Sequence, residues 1–388
     1  MFTFDTVLTR FIKPYISMLL LLLPAAQLFG QSRLPVIKAT SEKVSINDGG
    51  VFGKNSWRLS PKARPDIYTA DRTRQTKWVT FYTDIDSIRV KVKPGHNYDF
   101  IILLNGKDSC YTRLSSAIPP ESSSPGYSSP DTIPFRLTAY NAIAIKAVVN
   151  GTDTLNLHFD ASSSGIHFLA AVKARKFGPK KISSLQIGHM LLHDPSISTT
   201  NATAQEMDGR IGFDVFEGKQ VELNYDKHIL VVNSHLPGTE GYVRSKLIFS
   251  NGFPCVKGSI KAGQQIYTGL FTLDNGSAAA LALDSGWAAK ANIAGQFKLI
   301  RSSVIRDANG KKYETRIVQA PAFNFSKFEL KDVPATIFAS HTPFGFEMNF
   351  LGNDLMKRFN IILDFKNDFI YFKENQLFNI AYRDGGGS

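Results

Sequence analysis

Thr154–Phe168, TLNLHFDASSSGIHF, and Thr268–Leu283, TGLFTLDNGSAAALAL, share one construction. In each, an apolar or alternating run ends in a single aspartate, Asp160 or Asp274. A turn of small residues follows, then a second apolar run. Alternation on the approach marks a β-strand, and Ala, Ser and Gly are too small to bury the carboxylate that ends it. The aspartate is therefore held at a surface or a cleft. Two such units in one chain predict two carboxylates brought face to face. A pair that shares one proton titrates in two separated steps, so one member is a base while the other is an acid.

A chain of 388 residues has room for two or three domains with cores of their own. Its composition is globular, 43% hydrophobic and 20% charged, with 29 Phe, 29 Gly and 18 Pro. Long amphipathic helical patterns are scarce, which predicts an all-β, strand-dominated chain. The formal charge is +12. Lys and Arg alternate with apolar residues along runs such as Ser87–Val92, SIRVKV, the pattern of a solvated sheet face, and no nucleic-acid partner is expected. Cys110 and Cys255 match no metal spacing; they read either as a pair in an exported chain or as two buried, inert thiols.

Residues 1–30 read as a cleaved signal peptide. Arg10 and Lys13 supply positive charge, Ile16–Leu23 is the apolar core, and small residues follow to about Gly30. The core is short for a membrane span and no Cys follows it. The expected location is secreted or periplasmic, with no lipid anchor and no stable membrane insertion. Residues 33–114 carry strand-like segments at Lys43–Asn47, Ser56–Leu59, Trp78–Thr83, Ser87–Val92 and Tyr98–Asn105, with turns at Pro94-Gly95 and Asn105-Gly106. They predict a small N-terminal β-sandwich. Its aromatics, Trp57, Tyr68, Trp78, Phe81 and Tyr82, suit a core with cross-strand pairs, and secondarily a sugar-binding face. Residues 115–134, rich in Ser and Pro, read as a stiff linker.

Beyond the linker the chain repeats itself. Gly212–Val232, GFDVFEGKQVELNYDKHILVV, aligns without a gap on Gly352–Phe372, GNDLMKRFNIILDFKNDFIYF, at an offset of 140 positions. Upstream, Leu185–Asp194 parallels Phe323–Asp332, and further upstream stand Asp160 and Asp274. Three matched blocks in one order make a duplication. It predicts two lobes, 135–235 and 244–376, forming a pseudo-dimer within one chain, with a disordered DGGGS tail.

The pattern resembles the retropepsin-like and pepsin-like aspartic peptidases, in the secreted bacterial two-lobed form. The family's first signature, Asp-Thr/Ser-Gly-Ser/Ala, is occupied by Asp160-Ala161-Ser162-Ser163 and Asp274-Asn275-Gly276-Ser277. Its second, two apolar residues and a glycine, corresponds to Arg210-Ile211-Gly212 and Phe350-Leu351-Gly352. The resemblance implies a bilobed double-β fold and catalytic Asp160 and Asp274. It also implies substrate contacts from Ser162, Ser163, Gly276 and Ser277, a peptide or protein substrate, and no metal or cofactor.

Three departures stand out. Ala161 and Asn275 replace the Thr or Ser whose hydroxyls in the family cross-link the two loops; Ala161 cannot donate from its side chain, whereas Asn275 can. Ser162 stands where glycine is usual, which predicts backbone strain beside Asp160. Ser163 and Ser277 keep a position where a hydroxyl can orient the carboxylate. Asp284-Ser285-Gly286 is a rival for the second aspartate, read instead as the N-cap of a helix through Trp287–Asn292. His189 and His193 have zinc-like spacing without the glutamate of the helical motif, and read as structural. Asp214 and Asp354 read as capping or turn residues. The leading expectation is an exported aspartic endopeptidase, a hydrolase. Against it stand a catalytically inactive peptide- or protein-binding module of the same fold, and an envelope glycan-binding protein acting through the sandwich.

Overall fold

The structure, a computed structural model, describes residues 34–48, 56–119, 130–201, 203, 206–306, 312–338 and 347–384. The signal-peptide reading, the middle of the Ser/Pro stretch and all but the first residue of the DGGGS tail lie outside the described residues. No described helix is long and apolar enough to cross a membrane.

Two four-stranded sheets build the N-terminal part. One runs Val36–Ala39, Asn97–Leu104, Asp108–Ser116, Asp66–Ala70; the other Ser56–Arg58, Lys43–Asn47, Lys77–Tyr82, Ser87–Val92. Strict alternation drives them together: in Lys43–Asn47, Val44 and Ile46 are buried while their neighbours face water. Phe81, Phe100, Ile102 and Leu114 form the centre of a core separate from the rest of the chain. Trp57 and Tyr68 pack on Phe81, whereas Trp78 and Tyr82 are exposed. Cys110 is buried in this core and Cys255 in the second lobe, both as free thiols.

The rest is strand-dominated and bilobed. In lobe 1 the strand Asp153–Asp160 lies between Ile143–Val149, antiparallel, and Gly209–Gly212, parallel. In lobe 2, Gln265–Asp274 lies between Phe253–Ala262 and Asn349–Gly352 in the same senses. The outgoing strands Ile166–Leu169 and Leu281–Leu283 each pair antiparallel with the glycine-ended strand. Left-handed backbone recurs at matched places: Gly188 with Ser326, Asp194 with Asp332, His228 with Asp368. Lobe 2 adds a long hairpin, Lys298–Arg306 against the first part of Lys312–Phe325, where lobe 1 has only residues 177–183 between its helix Ala170–Lys176 and the strand Ser184–Ile187.

Six antiparallel strands of a larger sheet join the lobes, in the order Asp131–Leu137, Ile229–Asn233, Gln220–Asn224, Phe359–Asp364, Phe369–Glu374, Val243–Lys246. Its first strand begins inside the stretch read as linker, and Asp108–Ser116 ends inside it. The composition concealed the strand because its outward residues are Thr132 and Pro134, while Asp131, Ile133 and Phe135 point inward.

The sandwich is clamped to this sheet. Arg72 donates from Nε to Glu217 at 2.6 Å, and from Nη2 to Asp368 at 2.7 Å and the Phe365 carbonyl at 3.0 Å. Its guanidinium lies 3.7 Å from the Phe249 ring centre, and Arg74 adds a second bond to Asp368 at 2.7 Å. The Arg72 and Glu217 side chains are each only 4% exposed. Removing one member of so buried a pair leaves the other uncompensated and costs about 3–5 kcal/mol. Wild type nicked between residues 120 and 129 should therefore still run as one particle on gel filtration. Arg72→Ala should fall apart into two bodies after the same nick, and unfold at lower temperature before it.

Candidate active site

Each aspartate ends a strand whose parallel neighbour ends in glycine: Asp160 is level with Gly212 and Asp274 with Gly352. The glycine strand threads behind the aspartate loop too closely for any side chain. A Cβ on Gly212 would lie 2.5 Å from the Ser163 carbonyl oxygen, and one on Gly352 2.1 Å from that of Ala279. The loops are bonded alike: Ser163 N–H to the Asp160 carbonyl and Ser277 N–H to that of Asp274, both 3.2 Å. Gly212 N–H then reaches the Gly165 carbonyl at 2.7 Å, and Gly352 N–H that of Ala280 at 2.9 Å.

The two carboxylates face one hydroxyl. Asp160 Oδ1 accepts from Ser162 N–H at 2.9 Å, and Asp274 Oδ1 from Gly276 N–H at 3.2 Å. Ser162 Oγ stands 2.7 Å from that oxygen of Asp160 and 3.4 Å from that of Asp274. Both inner oxygens are thus within reach of one hydroxyl. Withdrawal from bulk water, and then the Asp160 charge, push the Asp274 carboxyl up to about 7, although the Gly276 N–H opposes them.

Asn275 bridges the loops. Its Oδ1 accepts from Ala161 N–H at 2.7 Å and its Nδ2 donates to the Phe159 carbonyl at 2.9 Å. One buried amide supplies both a donor and an acceptor, so Ala161 opposite needs only its backbone. The strain expected at Ser162 is absent: its φ is not positive, so a non-glycine residue sits there without penalty. The serines in the fourth position do not orient the carboxylates through their hydroxyls. Ser163 Oγ donates to the Asp160 main-chain carbonyl at 3.1 Å, and Ser277 Oγ accepts from Ala279 N–H at 3.2 Å.

His158, two positions before Asp160, was not singled out from the sequence. Its ring packs on Gly276 so tightly that a Cβ there would lie 2.2 Å from Cε1. The residue is 3% exposed, and Nε2 has no partner among the described residues. Burial lowers its pKa and holds it neutral, against the Asp160 charge and a bond to the Asn275 backbone, with Arg210 adding to the lowering. Its alternation with Asp160 on one strand was the available signal, since both side chains leave the same face.

The other residues lie away from the pair. Asp284 caps the helix Ser285–Lys290, accepting from Gly286 N–H at 2.8 Å and Trp287 N–H at 3.1 Å. That helix starts and ends two residues before the span read from the sequence. Asp214 accepts from Gly165 N–H at 2.7 Å. Asp354 bonds Lys357 at 2.8 Å and Arg383 N–H at 2.8 Å. His189 bonds Asp131 at 2.8 Å on the hairpin that ends at His193. A cavity of about 770 Å³ lies beside the lobe 1 loop, between Gly165, Ile166, His189, His193 and Asp214, and neither Asp160 nor Asp274 lines it.

No protein-family model and no curated protein matches the chain. Among solved structures it is similar to that of an aspartic proteinase from Irpex lacteus. The match has 12% identity and a TM-score of 0.46, and covers 66% of this chain and 100% of that one. At that distance the likeness adds no argument to the strand order and paired loops.

The cross-link and the packed imidazole are separately testable by denaturant unfolding. Asn275→Ala orphans a buried N–H and a buried C=O, and should cost about 2–4 kcal/mol. Gly276→Ala should cost about 1–3 kcal/mol through overpacking, and His158→Ala in the same chain should recover most of it. Equal costs with and without His158 would break the assignment of the clash.

Proposed function

We infer that the chain is an exported aspartic-type endopeptidase. The observation that carries this reading is the meeting of Asp160 Oδ1 and Asp274 Oδ1 at one hydroxyl, with Asp274 held protonated up to about pH 7. A base and an acid at one place are what general acid–base hydrolysis requires. Asp160 takes a proton from the attacking water, and Asp274 gives its own to the scissile carbonyl oxygen. As the tetrahedral species collapses, Asp160 returns a proton to the leaving nitrogen and Asp274 takes one back from the gem-diol hydroxyl that becomes the carbonyl of the new acid. The peptide would lie extended between the lobes, bonded through its backbone to strand edges. Export rests on the reading of residues 1–30.

A second reading, a catalytically inactive peptide- or protein-binding module, is favoured by the hydroxyl of Ser162 standing between the carboxylates. The glycan reading loses ground. Trp57, Tyr68 and Phe81 pack together in the sandwich core, and Arg89 covers exposed Trp78 at 4.5 Å.

Cleavage of a denatured protein should follow a bell-shaped pH curve whose alkaline limb falls near pH 7, where Asp274 loses its proton. Asp160→Asn and Asp274→Asn should each abolish cleavage, and Asp284→Asn should do little because Asn caps about as well as Asp. Stability provides an independent check. The folded Asp274 pKa lies above its unfolded value, so its contribution is fully present below about pH 4 and is lost as pH rises to about 7. Asp274→Asn should therefore melt higher than wild type at pH 8 and about equally at pH 3. Wild type that cuts nothing between about pH 3 and 8 yet binds peptides would transfer the assignment to the binding module.

A further inference from the structure

We propose that the Ser162 hydroxyl holds the place between Asp160 and Asp274 that the attacking water must take, so that turnover begins by turning this side chain aside. The inference rests on the peptidase reading above and concerns the resting state of its site. A hydroxyl has one proton to give and lone pairs to accept with. At 2.7 Å it donates to Asp160 Oδ1, and at 3.4 Å it faces Asp274 Oδ1 as well. One hydroxyl thereby faces both carboxylates at once, as a bound water would.

The two contacted oxygens are also the pinned ones. Each accepts the N–H of the residue two positions after its aspartate, at 2.9 and 3.2 Å. Their positions are fixed, and the hydroxyl occupies the space between them. Ser162 is itself only half-buried and its backbone is unstrained, so the side chain can change rotamer without moving the loop. Lobe 2 cannot mirror the device, because a Cβ on Gly276 would strike His158 at 2.2 Å. The site therefore carries one occluding hydroxyl, from lobe 1 alone.

Leaving a hydrogen bond to a charged group is worth about one to two orders of magnitude in rate. Ser162→Gly and Ser162→Ala should both raise kcat on a denatured protein by about tenfold or more. Binding separates this from the peptidase reading. An apolar hexapeptide with a central secondary alcohol, the form of the tetrahedral species, is compared by calorimetry with its methylene analogue. In wild type the alcohol should add little, because it must displace Ser162. In both variants it should bind about tenfold tighter or better, with the methylene analogue unchanged. If no protein cleaves but the alcohol gains only in the variants, occlusion stands and the peptidase reading falls. An alcohol advantage equal in all three proteins overturns occlusion, as does a gain in the glycine variant alone, which would indict the Cβ. Loss of cleavage in both variants together with an acyl ester on wild-type Ser162 by intact mass overturns it too, making the hydroxyl a nucleophile.

Discussion

The antiparallel pairing of Val221 with Leu363 and Leu223 with Ile361 is the contact on which the site depends. Glu222 lies opposite Ile362, its own counterpart at the 140-residue offset, so the approximate two-fold axis of the chain passes through this pair. Each lobe runs from its glycine strand through a short helical turn, Phe213–Phe216 or Asn353–Met356, directly into the central sheet. The register of that sheet thereby sets how far apart the two aspartate loops stand. A slip of one residue in either strand would turn its own pair, Val221 with Leu223 or Ile361 with Leu363, all fully buried, to the opposite face. Polar cross-links hold the register as well. Tyr225 Oη donates to Asn353 Oδ1 at 2.6 Å, and Tyr225 N–H donates to Asn360 Oδ1 at 2.9 Å.

Charge is buried in two places, on opposite terms. Under the central sheet, Arg72 is surrounded by Glu217, Asp368 and a carbonyl, and its Nε and Nη2 make a bidentate fork to the Glu217 carboxylate. Between the lobes, Asp274 is enclosed with Asp160 and receives only backbone N–H groups and one hydroxyl. The first arrangement favours the ionised guanidinium, although burial still pushes the Glu217 carboxyl up, and it fixes the sandwich. The second leaves one carboxylate short of compensation, so it keeps its proton. His158, whose Nε2 has no partner among the described residues, is biased by burial toward the neutral form and so toward adding no cation that would cancel this. A protonated imidazole in that place would favour two ionised carboxylates and remove the acid.

Much of this was legible in the sequence, for physical reasons. The duplication shows because both lobes need glycine where a strand passes behind a loop, and apolar alternation where strands enter the shared sheet. Asp160 and Asp274 show because a charged residue closing an apolar strand has few structural uses. Asn275 was readable as a donor, but not as the acceptor from Ala161 N–H, which depends on the opposing loop. The Arg72 clamp was hidden because its partners lie 145 and 296 positions away, and surface arginines look the same in sequence. His158 was hidden by its own strand, where a polar residue facing the core resembles any alternating position. Ser162 was misread as strain, because the argument for glycine rests on φ, and only the backbone shows that φ here is ordinary.

Duplication explains how the two loops came to differ. His158 precedes Asp160 by two, and Thr272 precedes Asp274 by two. Ser162 and Gly276 follow their aspartates by two. The large ring of His158 demands glycine at the position it packs against in the other lobe. The two-fold relation sets the smaller Thr272, bonded to Cys255 Sγ at 3.3 Å, as the counterpart of His158 on Ser162's side, and there a side chain is admitted. Two identical chains could not make this division, because each would carry the same residue at both places. In a single duplicated chain, the imidazole belongs to one lobe and its glycine to the other, and the hydroxyl can stand on one side only. The carboxylates thereby become inequivalent, with Asp274 pushed up to about 7 by its withdrawal from water and by the Asp160 charge.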